Sequence, residues 1–175
     1  IKESSRRIRP AIMNSGYRFP NERITVNLAP AGRHKEGSHF DLPIALGIIL
    51  LQQEKINADL SDTAFFGEIS LDGKVNRVKG ALPLAIALRK AGVKKICVPR
   101  ENAEEVSVLE DIKILPIESL TEAVDYINGR KQIAIHKRKE KSGHYYYDED
   151  FSQVKGQESV KRAAIIGAAG NHGMM

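Results

Sequence analysis

The sequence predicts a mixed α/β domain, a sheet with helices packed on it. Two observations carry this. Strand, short helix and strand succeed one another over 95–117 with links short enough to imply parallel neighbours. Two β-rich runs, 63–69 and 74–78, flank Asp72-Gly73, a strong turn signal that predicts an antiparallel hairpin.

The elements follow in order. Ile8, Ala11, Ile12 and Ser15 fall on one face of a helix over 2–16 that Gly16 ends. Pro10 should cost about 3 kcal/mol inside it, so a kink, or a start near Pro10, is expected. Ile24, Val26 and Leu28 alternate with Thr25 and Asn27, which predicts a half-buried strand stopped by Pro30. A polar loop over 31–40 leads to Asp41 as the N-cap of a helix bearing Leu42, Ala45, Leu46, Ile49 and Leu50, ending near Gln53. A helix over 81–91 turns Ala81, Leu84, Ala85 and Leu88 inward and stops at Gly92. Strand 95–98, a short helix near 101–108 and strand 112–117 come next. Ser119 and Glu122 then form a capping box for a helix over 119–128, closed by Gly129. Residues 130–150 show no sustained period and read as a linker. An Ala-rich helix over 156–169 bears Val160, Ala163, Ala164 and Gly167.

With 175 residues, the chain has room for one domain and an appendage. No stretch approaches the roughly 20 apolar residues of a membrane span. The start is charged, shows no secretory signal and lacks Met, so Ile1 reads as an internal cut. Cys97 is the single cysteine, which excludes an internal disulfide and a cysteine-based zinc site. It reads as a small core residue, and a reducing, cytoplasmic setting fits it. The net charge is +5. Arg130, Lys131, Lys137, Arg138, Lys139 and Lys141 stand against Glu140 alone and supply all of it. The rest of the chain balances. A local basic arm is implied, not a general nucleic-acid-binding surface.

A family resemblance rests on five runs. They are Ile24-Thr25-Val26-Asn27-Leu28-Ala29-Pro30-Ala31, Lys35-Glu36-Gly37-Ser38, Asp41-Leu42-Pro43-Ile44-Ala45-Leu46-Gly47, Gly67-Glu68-Ile69-Ser70-Leu71-Asp72-Gly73 and Asp150-Phe151-Ser152-Gln153-Val154-Lys155-Gly156-Gln157-Glu158. In this order the chain resembles the magnesium-chelatase-like AAA+ proteins, specifically the ComM/YifB branch linked to competence and DNA processing. The resemblance implies a Lon-protease-domain-like accessory domain, with the mixed sheet and packed helices of the ribosomal protein S5 domain 2-like fold. It implies that the first strands of that domain precede Ile1. It divides the chain into a truncated accessory domain over 1–129, a basic linker over 130–150, and the start of an AAA+ module over 151–175, cut before its Walker A loop. The full-length parent would then bind ATP and Mg2+, with neither expected on this piece. It would assemble as a homo-oligomer, a hexamer by that resemblance, and act on DNA without a membrane.

The likeness to Lon makes a Ser-Lys peptidase the first enzyme reading to weigh. Such a dyad activates Ser with a Lys whose pKa burial lowers. Aligned on Lys35-Glu36-Gly37, the nucleophile position falls on His39; aligned on Gly67–Leu71, the base position falls on Leu82. Leu cannot accept a proton. Ser38 and Lys79 are near misses, and two independent slips would not keep the placement a dyad needs; Ser38 reads better as a loop or capping hydroxyl. Ser38, His39 and Asp41 are too close in sequence for a triad. His34, His39 and Asp41 match no strong metal motif. Gly67–Gly73 lacks the spacing and the Lys-Ser/Thr pair of a phosphate loop.

By the same resemblance, Val154, Gly156 and Gln157 lie near the adenine of ATP. The alternative is a helix start that merely needs a small residue at Gly156. Without a Walker A loop, phosphate cannot be held. The linker carries the nucleic-acid reading: Lys137, Arg138, Lys139 and Lys141 neutralise phosphates while Tyr145, Tyr146 and Tyr147 stack on bases. A solvated tether is the competing reading. Three functions stand against one another: the non-catalytic domain of a DNA-remodelling or branch-migrating ATPase, a Lon-like peptidase domain, and an assembly or partner-docking module.

Overall fold

The computed structural model describes residues 2–28, 37–53, 59–138 and 149–170. The chain divides into two compact units, Ile1–Lys139 and Glu140–Met175.

The first unit is a mixed α/β fold. Its elements are α1 (Lys2–Asn14), α2 (Asp41–Leu50), β1 (Thr63–Phe65), β2 (Glu68–Ile69), β3 (Val75–Asn76), α3 (Ala81–Lys90), β4 (Lys95–Pro99), α4 (Arg100–Val106), β5 (Lys113–Ile117) and α5 (Leu120–Ile127). A parallel sheet has the order β1-β4-β5, and β2 and β3 form a separate antiparallel hairpin. β4 and β5 pair from Lys95↔Lys113 to Pro99↔Ile117. Both read as continuous apolar runs because both faces are covered. Cys97, Leu115 and Ile117 turn to a core built with α1, α2 and α5. Ile96, Val98 and Ile114 turn to a second core shared with α3 and α4. Cys97 is fully buried, and burial pushes its thiol far up against the weak opposing pull of Lys95.

The outer edge of β5 is accounted for residue by residue. Lys113 N–H donates to Lys94 C=O (2.9 Å), so the odd positions face β4 and the even positions face outward. Ile114 C=O accepts from His136 N–H (2.8 Å), and Glu118 C=O accepts from Val75 N–H (2.9 Å). Between them stands Pro116, which has no N–H to offer.

Several sequence expectations are corrected. Residues 23–28 form no strand. No described strand pairs with them, and Val26 is 38% exposed while Ile24 packs on the core, so alternation alone does not make a strand. The run 63–69 is two strands, since Phe66 N–H donates to Cys97 C=O (3.2 Å) and Gly67 N–H to His39 C=O (3.0 Å), and the backbone changes partner there. The hairpin turn itself lies at Asp72-Gly73. Gly73 has φ +83°, and a Cβ there would meet the Ser15 hydroxyl. α1 runs through Pro10 instead of starting near it.

Asp41 is the first helical residue of α2, not its cap. Phe40 is the N-cap and no side chain caps the helix. The Asp41 carboxylate is fully buried and accepts from Arg7 Nε at 2.9 Å, joining α2 to α1. The capping box of α5 is present in altered form. Ser119 Oγ accepts from Glu122 N–H (3.2 Å), while Glu122 reaches back to Glu118 N–H (2.8 Å), one residue earlier than the usual partner. Burial raises the Glu122 carboxyl, but Lys131 and the Glu118 amide outweigh it and hold the group below its ordinary value.

Among the described residues the second unit contains a 3-10 turn, Phe151–Gln153, and α6, Glu158–Gly170. Only Gly167 of α6 is buried. Among the described residues no helix is long and apolar enough to cross a membrane.

Arg7→Met should strand a buried carboxylate and destabilise the first unit by about 3 kcal/mol. Adding Asp41→Leu should restore most of that loss, as read from urea unfolding midpoints. Additive losses would show that the two residues do not act as a pair.

Candidate functional site

The lead-in to α2 is stitched to the neighbouring hairpin. Asp41 N–H donates to Ser38 C=O (3.0 Å), and Leu42 N–H donates to Gly67 C=O (3.1 Å). Together with the bond from Gly67 to His39, these fix Ser38, His39 and Phe40 against the start of β2. The Ser38 hydroxyl donates to the Glu68 carboxylate. The His39 ring tilts against Phe40 with centroids 4.2 Å apart. Burial pushes its imidazole below the ordinary value, and the nearby Asp41 carboxylate works against this.

The residues aligned with a peptidase dyad do not form one. Leu82 is an apolar contact of the second core, with its backbone N–H near the Glu105 carboxylate at 3.4 Å. Lys79 is exposed, and the partner of Ser38 is Glu68. His34 lies outside the described residues. Among the described residues no cluster of three or more His, Cys, Asp or Glu side chains could hold a metal ion.

In the second unit, Asp150 opens the 3-10 turn by accepting Ser152 N–H at 2.7 Å. Val154 is 45% exposed. Gly156 (φ +71°) and Gln157 (φ +56°) are both left-handed, and Gln157 C=O accepts from Lys161 N–H at 3.0 Å to begin α6. The helix therefore starts two residues later than its periodicity predicts. Gln157 is the one described non-glycine residue with positive φ. It adopts a conformation that costs an L-residue roughly 1 kcal/mol. Val154, Gly156 and Gln157 share one exposed backbone reversal. The structure thus brings these three together as a local surface, with both the adenine-wall and the helix-start readings compatible with it.

The basic arm is only partly described. Lys139, Lys141 and the three tyrosines lie outside the described residues. Lys137 and Arg138 are exposed and belong to the first unit. They line a hollow of about 420 Å³ with Glu110, Asp111 and Lys113, and Asp111 is paired with Arg89 at 3.1 Å. His136, one residue before, holds Glu104 (Nε2 to Oε2, 2.8 Å). Composition did not reveal this contact, because His136 and Glu104 are 32 residues apart. Asn102 was likewise missed. Fully buried, it takes Val78 N–H (2.9 Å) and gives to Val78 C=O (3.0 Å), clamping the chain ahead of α3 to α4. Its one sequence signal is a polar residue on the buried face of a short helix.

Against known proteins, the family model described as Subunit ChlI of Mg-chelatase matches residues 1–102. The Competence protein ComM of Haemophilus influenzae is 33% identical over 179 aligned positions, covering all of this chain and 35% of that protein. YifB of Escherichia coli, an uncharacterized protein, is 34% identical over 175 positions, covering all of this chain and 34% of that protein. Lon protease 2 of Bacillus subtilis is 28% identical over 127 positions, covering 72% of this chain and 22% of that protein. The chain belongs to the magnesium-chelatase-like ChlI family, in its ComM/YifB branch. It spans about a third of the length of these ComM and YifB relatives.

Gly156→Ala should destabilise the start of α6 by about 1 kcal/mol through its left-handed backbone alone, since no atom crowds the new Cβ. Hydrogen exchange at the Lys161 amide should quicken about fivefold. An unchanged rate would show that the reversal does not hold the helix start.

Proposed function

We propose that this chain is the non-catalytic N-terminal domain of a magnesium-chelatase-like AAA+ ATPase, followed by the start of its motor module. The full-length protein would be a hexameric, ATP-driven motor that remodels or branch-migrates DNA. The carrying observation is the match to a competence protein along the whole chain. ATP and Mg2+ belong to this reading of the full-length protein. The residues present fit only the adenine side. Val154, Gly156 and Gln157 offer an exposed wall, and the sequence contains no Gly-x-x-x-x-Gly-Lys-Ser/Thr run to cradle phosphates. When bound, the nucleotide would supply the free energy of phosphate hydrolysis; this chain's part is to position its base.

A peptidase reading is favoured by one observation, the partial match to Lon protease 2. His39 and Leu82 at the dyad positions oppose it, as do the Ser38–Glu68 bond and the exposure of Lys79. The chain should not turn over casein above a blank. Turnover abolished by Ser38→Ala would establish the peptidase instead.

On the motor reading, Lys137, Arg138, Lys139 and Lys141 contact DNA weakly and without sequence preference. Replacing Lys137, Arg138 and Lys139 with Ala should lower the log–log salt slope of binding by about 2 to 3, since each phosphate contact contributes roughly 0.7 to 0.9. Fluorescence anisotropy at several salt concentrations measures this. A variant that binds as the parent does would make the arm a tether only.

A further inference from the structure

The sequence reads residues 130–138 as linker, yet residues 131–138 lie against the first unit. The contacts that hold them are few and discrete. Lys131 Nζ pairs with Glu122 Oε1 at 2.8 Å at one end. Ile133 packs on the first core. His136 donates its backbone N–H to Ile114 C=O on the outer edge of β5, and its ring meets Glu104. These residues form no strand with β5. Pro116, the next outward position, has no N–H to extend such a ladder. Ile135 is 48% exposed, and the hollow of about 420 Å³ separates 135–138 from the turn after α4. A segment of the core would fill that space and bury its apolar residues. This one is anchored at Lys131, Ile133 and His136 and borders an open hollow at its C-terminal end.

We propose that residues 131–138 are a detachable strap, docked by the Lys131–Glu122 and His136–Glu104 pairs, by the apolar contact of Ile133 and by two backbone bonds, Lys131 N–H to Asp125 C=O (3.2 Å) and His136 N–H to Ile114 C=O (2.8 Å), and released without unfolding the domain. Docked, the strap places Lys137 and Arg138 on the rim of the hollow they share with Glu110, Asp111 and Lys113. Released, it adds eight residues, up to about 27 Å of extended chain, to the reach of everything that follows Arg138. Each pair is partly exposed, so each holds the strap by a small free energy, which suits a segment that opens readily. The device does not depend on what the arm binds.

The His136 amide reports the docked state directly, because its only acceptor is on β5. The Lys113 amide, bonded to Lys94, reports the sheet. Hydrogen exchange on the full chain should show His136 protected but exchanging well before Lys113. Glu104→Gln and Lys131→Met should each speed exchange at His136 roughly two- to fivefold and leave Lys113 unchanged. Three results would overturn the strap. His136 could exchange at the unprotected rate in the parent chain, so that nothing is docked. It could exchange only together with Lys113, so that the segment is core. Or both variants could leave its rate unchanged, so that the pairs hold nothing.

Discussion

The parallel pairing of β4 with β5 is the constraint on which the rest depends. It sets Cys97, Leu115 and Ile117 on one face and Ile96, Val98 and Ile114 on the other, and each face then needs a cover. α4 bridges the two strands in the sequence and packs on one face with α3. α1, α2 and α5 close the other. β4 and β5 cannot be exchanged for amphipathic strands, because Ile96–Pro99 and Ile114–Ile117 are buried on both faces.

That constraint was legible in the sequence because it is local and redundant. Two uninterrupted apolar runs, the short helix between them and the Gly129 stop of α5 all point to one arrangement. Features that depend on distant partners were not legible. The run 63–69 has one composition but two partners, and nothing in its periodicity marks the change at Phe66-Gly67. Residues 23–28 alternate as a strand does, yet alternation does not say whether a neighbour is present to pair with. Asp41 has the residue type and place of a cap. Its carboxylate instead pairs with Arg7, 34 residues earlier in the chain.

The functional reading divides the same way. The family was legible because its runs keep their order over the whole chain, and His39 and Leu82 marked the absence of an aligned dyad before any coordinates. The positive φ at Gln157 was not legible, since a left-handed glutamine has no signature in sequence. Nor was the docking of 131–138. Basic composition suggested a solvated tether, and the side chains that anchor it, Glu122 and Glu104, lie on two different helices.

Pro116 has a consequence for how this protein behaves in a crowded solution. An edge strand with a full row of donors and acceptors is a template on which other extended chains can align, and that is a common start for aggregation. β5 would offer such a row wherever its outer side came into view. Proline removes the central donor from it, between a position occupied by the His136 amide and one occupied by β3. Loss of the outer contact at Ile114 would therefore uncover a row with no donor at its central position, a poor template for a foreign strand.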